Sequence, residues 1–228
     1  SSPHYSVDDY RFMADALRLA KKGVYTTHPN PRVGCILVKD GNILSEGWQE
    51  KAGQAHAEIV ALQLAGEQSR GATVYVTLEP CAHHGRTPPC ADALVEAGVK
   101  VVIIAMQDPN PLVAGQGISK LEQAGIKVKC GLLEQQAEEL NRGFVSRMKS
   151  GRPWVTVKLG ASIDGRSAMK SGESQWITGA KARQDVQRLR AASSAILTGS
   201  GTVLADDPSL TARLADVSRQ PLRVIMDS

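Results

Sequence analysis

Three side chains that commonly bind metals, together with one carboxylate, form a pattern typical of a catalytic zinc site. His56 and Glu58 are two positions apart, and Cys81 and Cys90 follow an apolar, strand-like segment. Imidazole and thiolate are usual zinc ligands, and a catalytic site with three protein ligands keeps its fourth position open for water. The pattern therefore predicts that His56, Cys81 and Cys90 hold zinc, while Glu58 stays free.

A free carboxylate beside such an ion is suited to acid–base catalysis. Zinc with an open position lowers the pKa of its bound water toward neutrality. Glu58 would take a proton from this water, protonate a ring nitrogen of the substrate and finally protonate the departing amine. The predicted reaction is hydrolytic removal of an exocyclic amino group from a nucleobase-like ring.

Other interpretations of these residues are open. His56 alone could be a helix cap or a core residue, and Cys81 and Cys90 could be free thiols or a disulfide. His83 and His84 are alternative ligands, although either one would fill the open position or displace a thiolate. The zinc interpretation depends on the combination of residues and not on any single one.

The elements around these residues alternate between strand and helix. Ser6 and Asp9 form a capping-box pattern before a helix that Gly23 can end. The Asp40-Gly41 pair between two apolar runs predicts a hairpin. Periodicity further predicts helices at 57–64, 91–97, 118–124 and 134–148, and strands at 33–38, 43–48, 73–78, 99–105 and 126–128. This alternation indicates an α/β domain with helices on both faces of a sheet.

A breaker cluster at 150–153 marks a boundary, so that one domain is predicted at residues 1–150 and the start of another at 151–228. The second is predicted to have strands at 154–159, 195–198 and 222–226, a helix at 180–191, and a loop rich in Gly, Asp and Pro. It ends after about 75 residues, whereas a domain typically needs about 100. The sequence is therefore expected to be partial.

Composition narrows the classes of function. The net charge of +4 is mild and the charged residues are mixed, so we expect no nucleic-acid partner. No apolar run reaches the roughly 18 residues of a membrane span, and the start lacks signal-peptide features. Four cysteines do not make a disulfide scaffold, and Cys35 and Cys130 are predicted core residues. These features favour a cytoplasmic protein without a membrane partner.

The motifs resemble the cytidine-deaminase superfamily. The resemblance lies in His-Ala-Glu at 56–58 and in Thr-Leu-Glu-Pro-Cys at 77–81, followed by Cys90. Most members of the superfamily place two residues between the cysteines, whereas eight lie between them here. With Thr-His-Pro-Asn-Pro at 27–31 and Asp-Pro-Asn-Pro at 108–111, this spacing resembles the bacterial bifunctional riboflavin-biosynthesis deaminase/reductase.

That resemblance implies a cytidine-deaminase-like three-layer αβα domain followed by a dihydrofolate-reductase-like α/β domain. The second part of it lies in the motifs at 158–165, 174–178 and 201–208. It implies zinc-dependent deamination of 2,5-diamino-6-(5-phosphoribosylamino)pyrimidin-4(3H)-one, a small phosphoribosylated pyrimidine. NADPH-dependent reduction of the ribose to ribityl would follow. The resemblance also implies a homo-oligomer.

The resemblance further implies that Asn30, Arg86, Asp108 and Asn110 line the deaminase pocket. Asparagine offers a donor and an acceptor to a pyrimidine edge, and an arginine fork suits phosphate. Gln49 stands where many family members have histidine, so the polar contact expected there is a neutral amide. Without the resemblance, these residues also fit ordinary turns and a solvated surface.

For the reductase domain, the resemblance implies cofactor contacts at Ala161, Trp176, Thr202 and Asp206, with Trp176 beside the nicotinamide. Substrate contacts are implied at Lys158, Ser174, Arg190, Leu210 and Arg213, the two arginines binding phosphate. The family's Gly-rich cofactor-phosphate loop would come later than residue 228. Spacing alone also fits a solvated helix face for Arg190 and turn positions for Thr202 and Asp206.

Two other functions remain open on the sequence. One is a zinc deaminase acting on cytosine nucleosides or on adenine in tRNA, although a tRNA enzyme should show a basic face. The other is a zinc-stabilised binding module without turnover. Glu58 separates the binding module from the enzymes, because zinc binding does not require it.

Overall fold

A computed structural model describes residues 3–83, 88–215 and 217–227. The chain forms two compact units, Ser1–Trp154 and Val155–Ser228. The division falls four residues beyond the predicted boundary at residue 150, because Trp154 still contacts the first unit, where the Arg142 guanidinium lies 5.4 Å from its ring centre.

The first unit is built on a five-stranded sheet in the order β2-β1-β3-β4-β5. Strand β1 pairs antiparallel with β2 and β3, whereas β3, β4 and β5 are parallel. The predicted hairpin is confirmed: Asp40 and Gly41 both have positive φ, which suits a tight turn between twisted strands. The strands are β1 Gly34–Lys39, β2 Asn42–Trp48, β3 Thr73–Leu78, β4 Val101–Met106 and β5 Lys127–Cys130.

Helices cover both faces of this sheet, which confirms the three-layer αβα prediction. Helices α1 and α5 pack on one face, and α2, α3 and α4 pack in a row on the other. None of the helices in the described part of the chain is long and apolar enough to cross a bilayer. The helices are α1 Val7–Lys21, α2 Ala57–Ala65, α3 Cys90–Glu96, α4 Gln116–Gln123, α5 Glu134–Leu140 and α6 Arg142–Ser150, with a 3-10 turn at Gly66–Ser69.

The core lies between these layers and includes side chains of β1, β3 and β4. Cys35 is fully buried in it and Cys130 packs against it half-buried, as predicted. The capping box at the start of α1 is present, because Ser6 and Asp9 exchange backbone and side-chain hydrogen bonds. The first unit therefore follows its local sequence patterns closely.

The helix predicted at 134–148 is wrong in one respect, because it is broken at Asn141. Asn141 has φ −113° and separates α5 from α6. Its side chain is buried and bonds to the backbone of Arg32 and not within the helix. A long-range contact therefore interrupts a continuous helical pattern.

The second unit contains helix α7 Ala180–Ala192, strand β6 Ala195–Gly199, helix α8 Ser200–Asp206 and strand β7 Leu222–Met226. Strands β6 and β7 are parallel neighbours. A loop was predicted where α8 lies, because its glycines and aspartates fall at the helix ends: Gly199 is the N-cap and Asp207 the left-handed C-cap.

The strand predicted at 154–159 is also wrong. The structure has no strand there, and Val155, Val157 and Leu159 are 72%, 78% and 83% exposed. An extended segment becomes a strand only when a neighbouring strand accepts its backbone hydrogen bonds. Within the described residues, the sheet of this unit consists of β6 and β7 alone.

Candidate zinc site and substrate pocket

The first turn of α2 presents both His56 and Glu58. His56 is the N-cap residue with extended backbone angles, and Glu58 lies in the first turn. This turn rests directly on β2 at Gly47, where an added Cβ would lie 2.2 Å from the carbonyl oxygen of Ala57. Only glycine permits this approach, so Gly47 determines how closely α2 lies on the sheet.

The two cysteines come from the end of β3 and the start of α3. Cys81 follows Pro80 just beyond β3, and Cys90 is the first residue of α3. The backbone N–H of Cys90 donates to Cys81 Sγ at 3.2 Å, and the N–H of Ala91 donates to the Cys81 carbonyl oxygen at 3.1 Å. These bonds close the loop so that both sulfurs face His56.

The three predicted ligands converge. His56 Nδ1 lies 3.2 Å from Cys90 Sγ and 3.8 Å from Cys81 Sγ, and all three ligand atoms lie within 4.8 Å of one another. Zinc–ligand bonds of about 2.0–2.3 Å in a tetrahedron separate ligand atoms by roughly 3.5 Å, so the group fits zinc. His83 is not part of this group, and His84 lies outside the described residues.

The electrostatics of the three residues favour binding a cation. Hydrogen bonds from the Cys90 side chain and from His56 lower the pKa of Cys81 well below its usual range. The hydrogen bond with Cys81, together with burial, raises the pKa of Cys90, and the bond to Cys81 also raises the pKa of His56. The lowered pKa of Cys81 favours its thiolate form, which attracts a cation, and a bound divalent cation would in turn favour deprotonation of Cys90.

Glu58 lies beside the three ligands without being one of them. It is 3% exposed, and its Oε2 atom has no hydrogen-bond partner. Burial raises the pKa of Glu58 to about 7. A buried carboxylate with an unpartnered oxygen and a pKa near neutrality is suited to accept and return a proton.

The other predicted pocket residues in the described part of the chain lie in loops. Gln49 is 4% exposed and its Nε2 is unpartnered, while the backbone N–H of Asn30 donates to Thr27 O at 2.8 Å. Asp108 Oδ1 accepts from the N–H of Asn110, and burial raises the pKa of Asp108. Arg86 lies outside the described residues.

The sequence patterns gave no role to Glu79, which organises this edge of the site. Its buried carboxylate accepts four backbone N–H groups at 2.9–3.2 Å, those of Asp108, Gly115, Gly117 and Ile118. The bonds join the loop after β4 and the start of α4 to the segment that carries Cys81. An acidic residue in an apolar strand end was the available signal, since buried carboxylates need donors.

Replacing Glu79 with glutamine should destabilise the first unit by about 2–4 kcal/mol, because the amide nitrogen would face donors that then lack an acceptor. Urea unfolding measures this loss. Glu122→Gln is the matched control on the exposed face of α4 and should leave the unfolding midpoint in place. Equal midpoints for the two variants would show that the four bonds contribute little.

In the second unit, the structure brings together the two arginines predicted to bind phosphate. Arg190 donates to Thr211 O at 3.1 Å, and Arg213 donates to Ser209 Oγ at 3.2 Å, so both lie at the 209–213 loop. Burial and the nearby Arg213 charge lower the pKa of Arg190. Two neighbouring cations would be stabilised by an anion between them.

The remaining predicted residues of this unit do not form one site. Ala161, Trp176, Thr202 and Asp206 are exposed, and no hydrogen bond or ring contact in the described part of the chain joins one to another. Trp176 packs against Arg183, whose guanidinium lies 4.3 Å from the ring centre. Lys158 and Ser174 are exposed, whereas Leu210 is buried. Within the described residues, these positions do not come together as a nicotinamide site.

The fold and the three converging ligands define the class of the first unit. Residues 6–106 match the family model described as the cytidine and deoxycytidylate deaminase zinc-binding region. Residues 153–228 match the family model described as the RibD C-terminal domain. The chain thus carries a match to a deaminase zinc-binding region, followed by a match to the RibD C-terminal domain.

Sequence and structure comparisons both find RibD proteins similar to this chain. The chain is 58% identical to the riboflavin biosynthesis protein RibD of Escherichia coli, over 97% of its own length and 63% of the relative's. Acinetobacter baumannii RibD has 56% identity and a TM-score of 0.92, over 96% of this chain and 63% of that one. The Thermotoga maritima deaminase/reductase has 45% identity and a TM-score of 0.91, with the same coverage. The chain is thus similar to RibD proteins over nearly its whole length and spans about 63% of the length of these relatives.

Proposed function

We propose that the first unit hydrolyses the 2-amino group of 2,5-diamino-6-(5-phosphoribosylamino)pyrimidin-4(3H)-one, giving 5-amino-6-(5-phosphoribosylamino)uracil and ammonia. The observation that carries this is the buried Glu58, whose Oε2 atom has no partner, beside three converging candidate zinc ligands. The Thermotoga relative is described as a deaminase for this class of compound and a reductase for its product.

In this mechanism, His56, Cys81 and Cys90 hold zinc. The bound metal supplies Lewis acidity that makes a water molecule nucleophilic at neutral pH. Glu58 takes one proton from the attacking water and delivers a proton to the ring nitrogen. It then takes the proton of the newly added hydroxyl group and delivers it to the amino group, while the bond from carbon to nitrogen breaks and the carbonyl forms. The carbon gains an oxygen, ammonia leaves, and Glu58 returns to its starting state.

The loops around the centre would bind the substrate. Gln49 Nε2 is a buried donor without a partner, which suits a carbonyl or phosphate oxygen. Asp108 and Asn110 each use one side-chain oxygen to hold their own loop. Their remaining atoms, with Asn30, would orient the pyrimidine, and Arg86 would bind the phosphate.

For the second unit, we propose a part in the NADPH-dependent reduction of the ribose to ribityl, in which this unit binds the phosphate of the substrate. The support is the match to the RibD C-terminal domain and the pairing of Arg190 with Arg213 at one loop. Those arginines would bind the substrate phosphate. Arg190→Ala should bind the deaminated ribotide more weakly than the unchanged chain, which isothermal titration calorimetry measures.

The deaminase proposal is tested by ammonia release from the diaminopyrimidine ribotide, with cytidine as comparison substrate and zinc measured on the same preparation. Release from the ribotide alone, at about one zinc per chain, is the expected result. Preference for cytidine would favour a nucleoside deaminase instead. Bound zinc without any turnover would favour a binding module.

A further inference from the structure

The helices that follow β5 contact the loop before β1, which lies more than 100 residues earlier in the sequence. Asn141, between α5 and α6, is 4% exposed. Its Oδ1 accepts from the backbone N–H of Arg32 at 2.8 Å, and its Nδ2 donates to the backbone carbonyl of Arg32 at 3.0 Å. A single side-chain amide thus pairs with both backbone groups of one residue, as a neighbouring strand would.

Three further hydrogen bonds strengthen this contact. The Arg32 guanidinium donates to Leu140 O at 2.6 Å and to Val24 O at 3.4 Å, and Arg147 donates to Pro29 O at 3.4 Å. The loop from Pro29 to Arg32 is therefore held by hydrogen bonds at residues on both sides of Asn30. These helices lie outside the residues matched by the deaminase zinc-binding region, which end at residue 106.

The same loop is also connected to Gln49, a second residue predicted to line the pocket. Val33 follows Arg32, and its carbonyl oxygen accepts the backbone N–H of Gln49 at 3.1 Å. Gln49 itself is buried with an unpartnered Nε2. A shift of the Arg32 backbone would thus be transmitted to Asn30 on one side and to Gln49 on the other.

We propose that Asn141 is a positioning residue that holds Asn30 and Gln49 in place for substrate binding. The inference rests on the deaminase function proposed above. Both hydrogen bonds of the Asn141 side chain go to the Arg32 backbone and neither reaches a zinc ligand or Glu58, so its loss should disturb the substrate-binding loop while the metal and Glu58 stay in place. Displacement of binding groups by a fraction of an ångström weakens substrate binding more than proton transfer by an untouched Glu58.

The test is Asn141→Ala, with Asn141→Asp as the conservative variant and Asn42→Ala as the control in the exposed hairpin turn. For Asn141→Ala, we expect KM for the diaminopyrimidine ribotide to rise on the order of 10-fold, with kcat within about 2-fold and zinc content unchanged. Aspartate keeps the acceptor for the Arg32 N–H, so its KM should rise less. Asn42→Ala should match the wild type.

Hydrogen exchange measured by mass spectrometry provides a readout that does not need activity. In Asn141→Ala, peptides covering 29–34 and 48–50 should exchange faster, while a peptide covering 78–82 should not. Unchanged exchange in the first two peptides would overturn the proposal, as would faster exchange with an unchanged KM. A parallel loss of zinc, kcat and affinity would show a general structural role instead. If the wild type releases no ammonia from the ribotide, the proposed deaminase function fails, and exchange alone decides whether Asn141 holds the loop.

Discussion

Replacing Glu58 with glutamine is expected to lower kcat for ammonia release by about 10³-fold and to leave one zinc bound per chain. Glutamine has nearly the same shape as glutamate but cannot take a proton from water or return it to the leaving amine. Glu58 is buried beside the ligand atoms without being one of them, so its charge is not needed to hold the metal. Steady-state ammonia release and zinc analysis of one preparation give both numbers.

The control for this prediction is Glu67→Gln, the same change at an exposed carboxylate of the 3-10 turn after α2. It should retain wild-type kcat and zinc. If Glu58→Gln kept its activity, Glu58 could not be the proton carrier. If the variant lost zinc together with activity, the carboxylate would instead be required to form the metal site.

The convergence of His56, Cys81 and Cys90 could be predicted because these residues belong to short, local patterns. His56 precedes a helix and Cys81 follows a strand, and both boundaries are visible in the apolar periodicity of α2 and β3. The same is true of the hairpin at Asp40-Gly41, where the turn needs positive φ at both positions. Features that depend on adjacent residues, such as these boundaries and this turn, can therefore be recognised in the sequence.

The supports of the site could not be predicted in this way. Glu79 bonds to residues 29 to 39 positions away, and Asn141 bonds to Arg32 across 109 positions. No sequence pattern near Glu79 or Asn141 indicates which distant residue it bonds to. The break between α5 and α6 has the same origin, because the Asn141 side chain satisfies a distant backbone while the helical pattern around it continues.

The second unit illustrates a different limit. Its segment at 154–159 alternates as a strand should, yet Val155 and Val157 stay exposed and no strand forms. Periodicity reports which face of a segment would be buried, but a strand also needs a neighbour with free backbone groups. For the same reason, residue types at Thr202 and Asp206 fit a cofactor site that the described residues do not assemble.

Replacing Cys90 with alanine is expected to abolish ammonia release and to weaken zinc binding by more than about 100-fold, the upper range for changes that only disturb a ligand's surroundings. Cys90 supplies one of three ligand atoms and its N–H also holds Cys81 Sγ at 3.2 Å. Alanine keeps the N–H and removes only the thiolate, so the loss reports on the sulfur. Zinc competition with a chromogenic chelator measures the affinity.

Cys130→Ala is the matched control, because this thiol is half-buried on β5 and lies outside the ligand group. It should keep about one zinc and wild-type turnover. If Cys90→Ala still bound zinc tightly, His56, Cys81 and Cys90 could not be the set of ligands. Loss of zinc from Cys130→Ala as well would mean that any cysteine change disrupts the domain.

Removing zinc from the wild-type protein with a chelator tests whether the metal stabilises the fold. A ligand that binds only the folded state stabilises it by RT ln(1 + [L]/Kd), which is about 4 kcal/mol at a thousandfold excess over Kd. Removing zinc should therefore lower the Tm of the wild type by several degrees and leave the Tm of Cys90→Ala unchanged, because that variant has no zinc to lose. An equal fall in both proteins would show that the chelator acts elsewhere, since only an ion held through Cys90 can stabilise one protein and not the other.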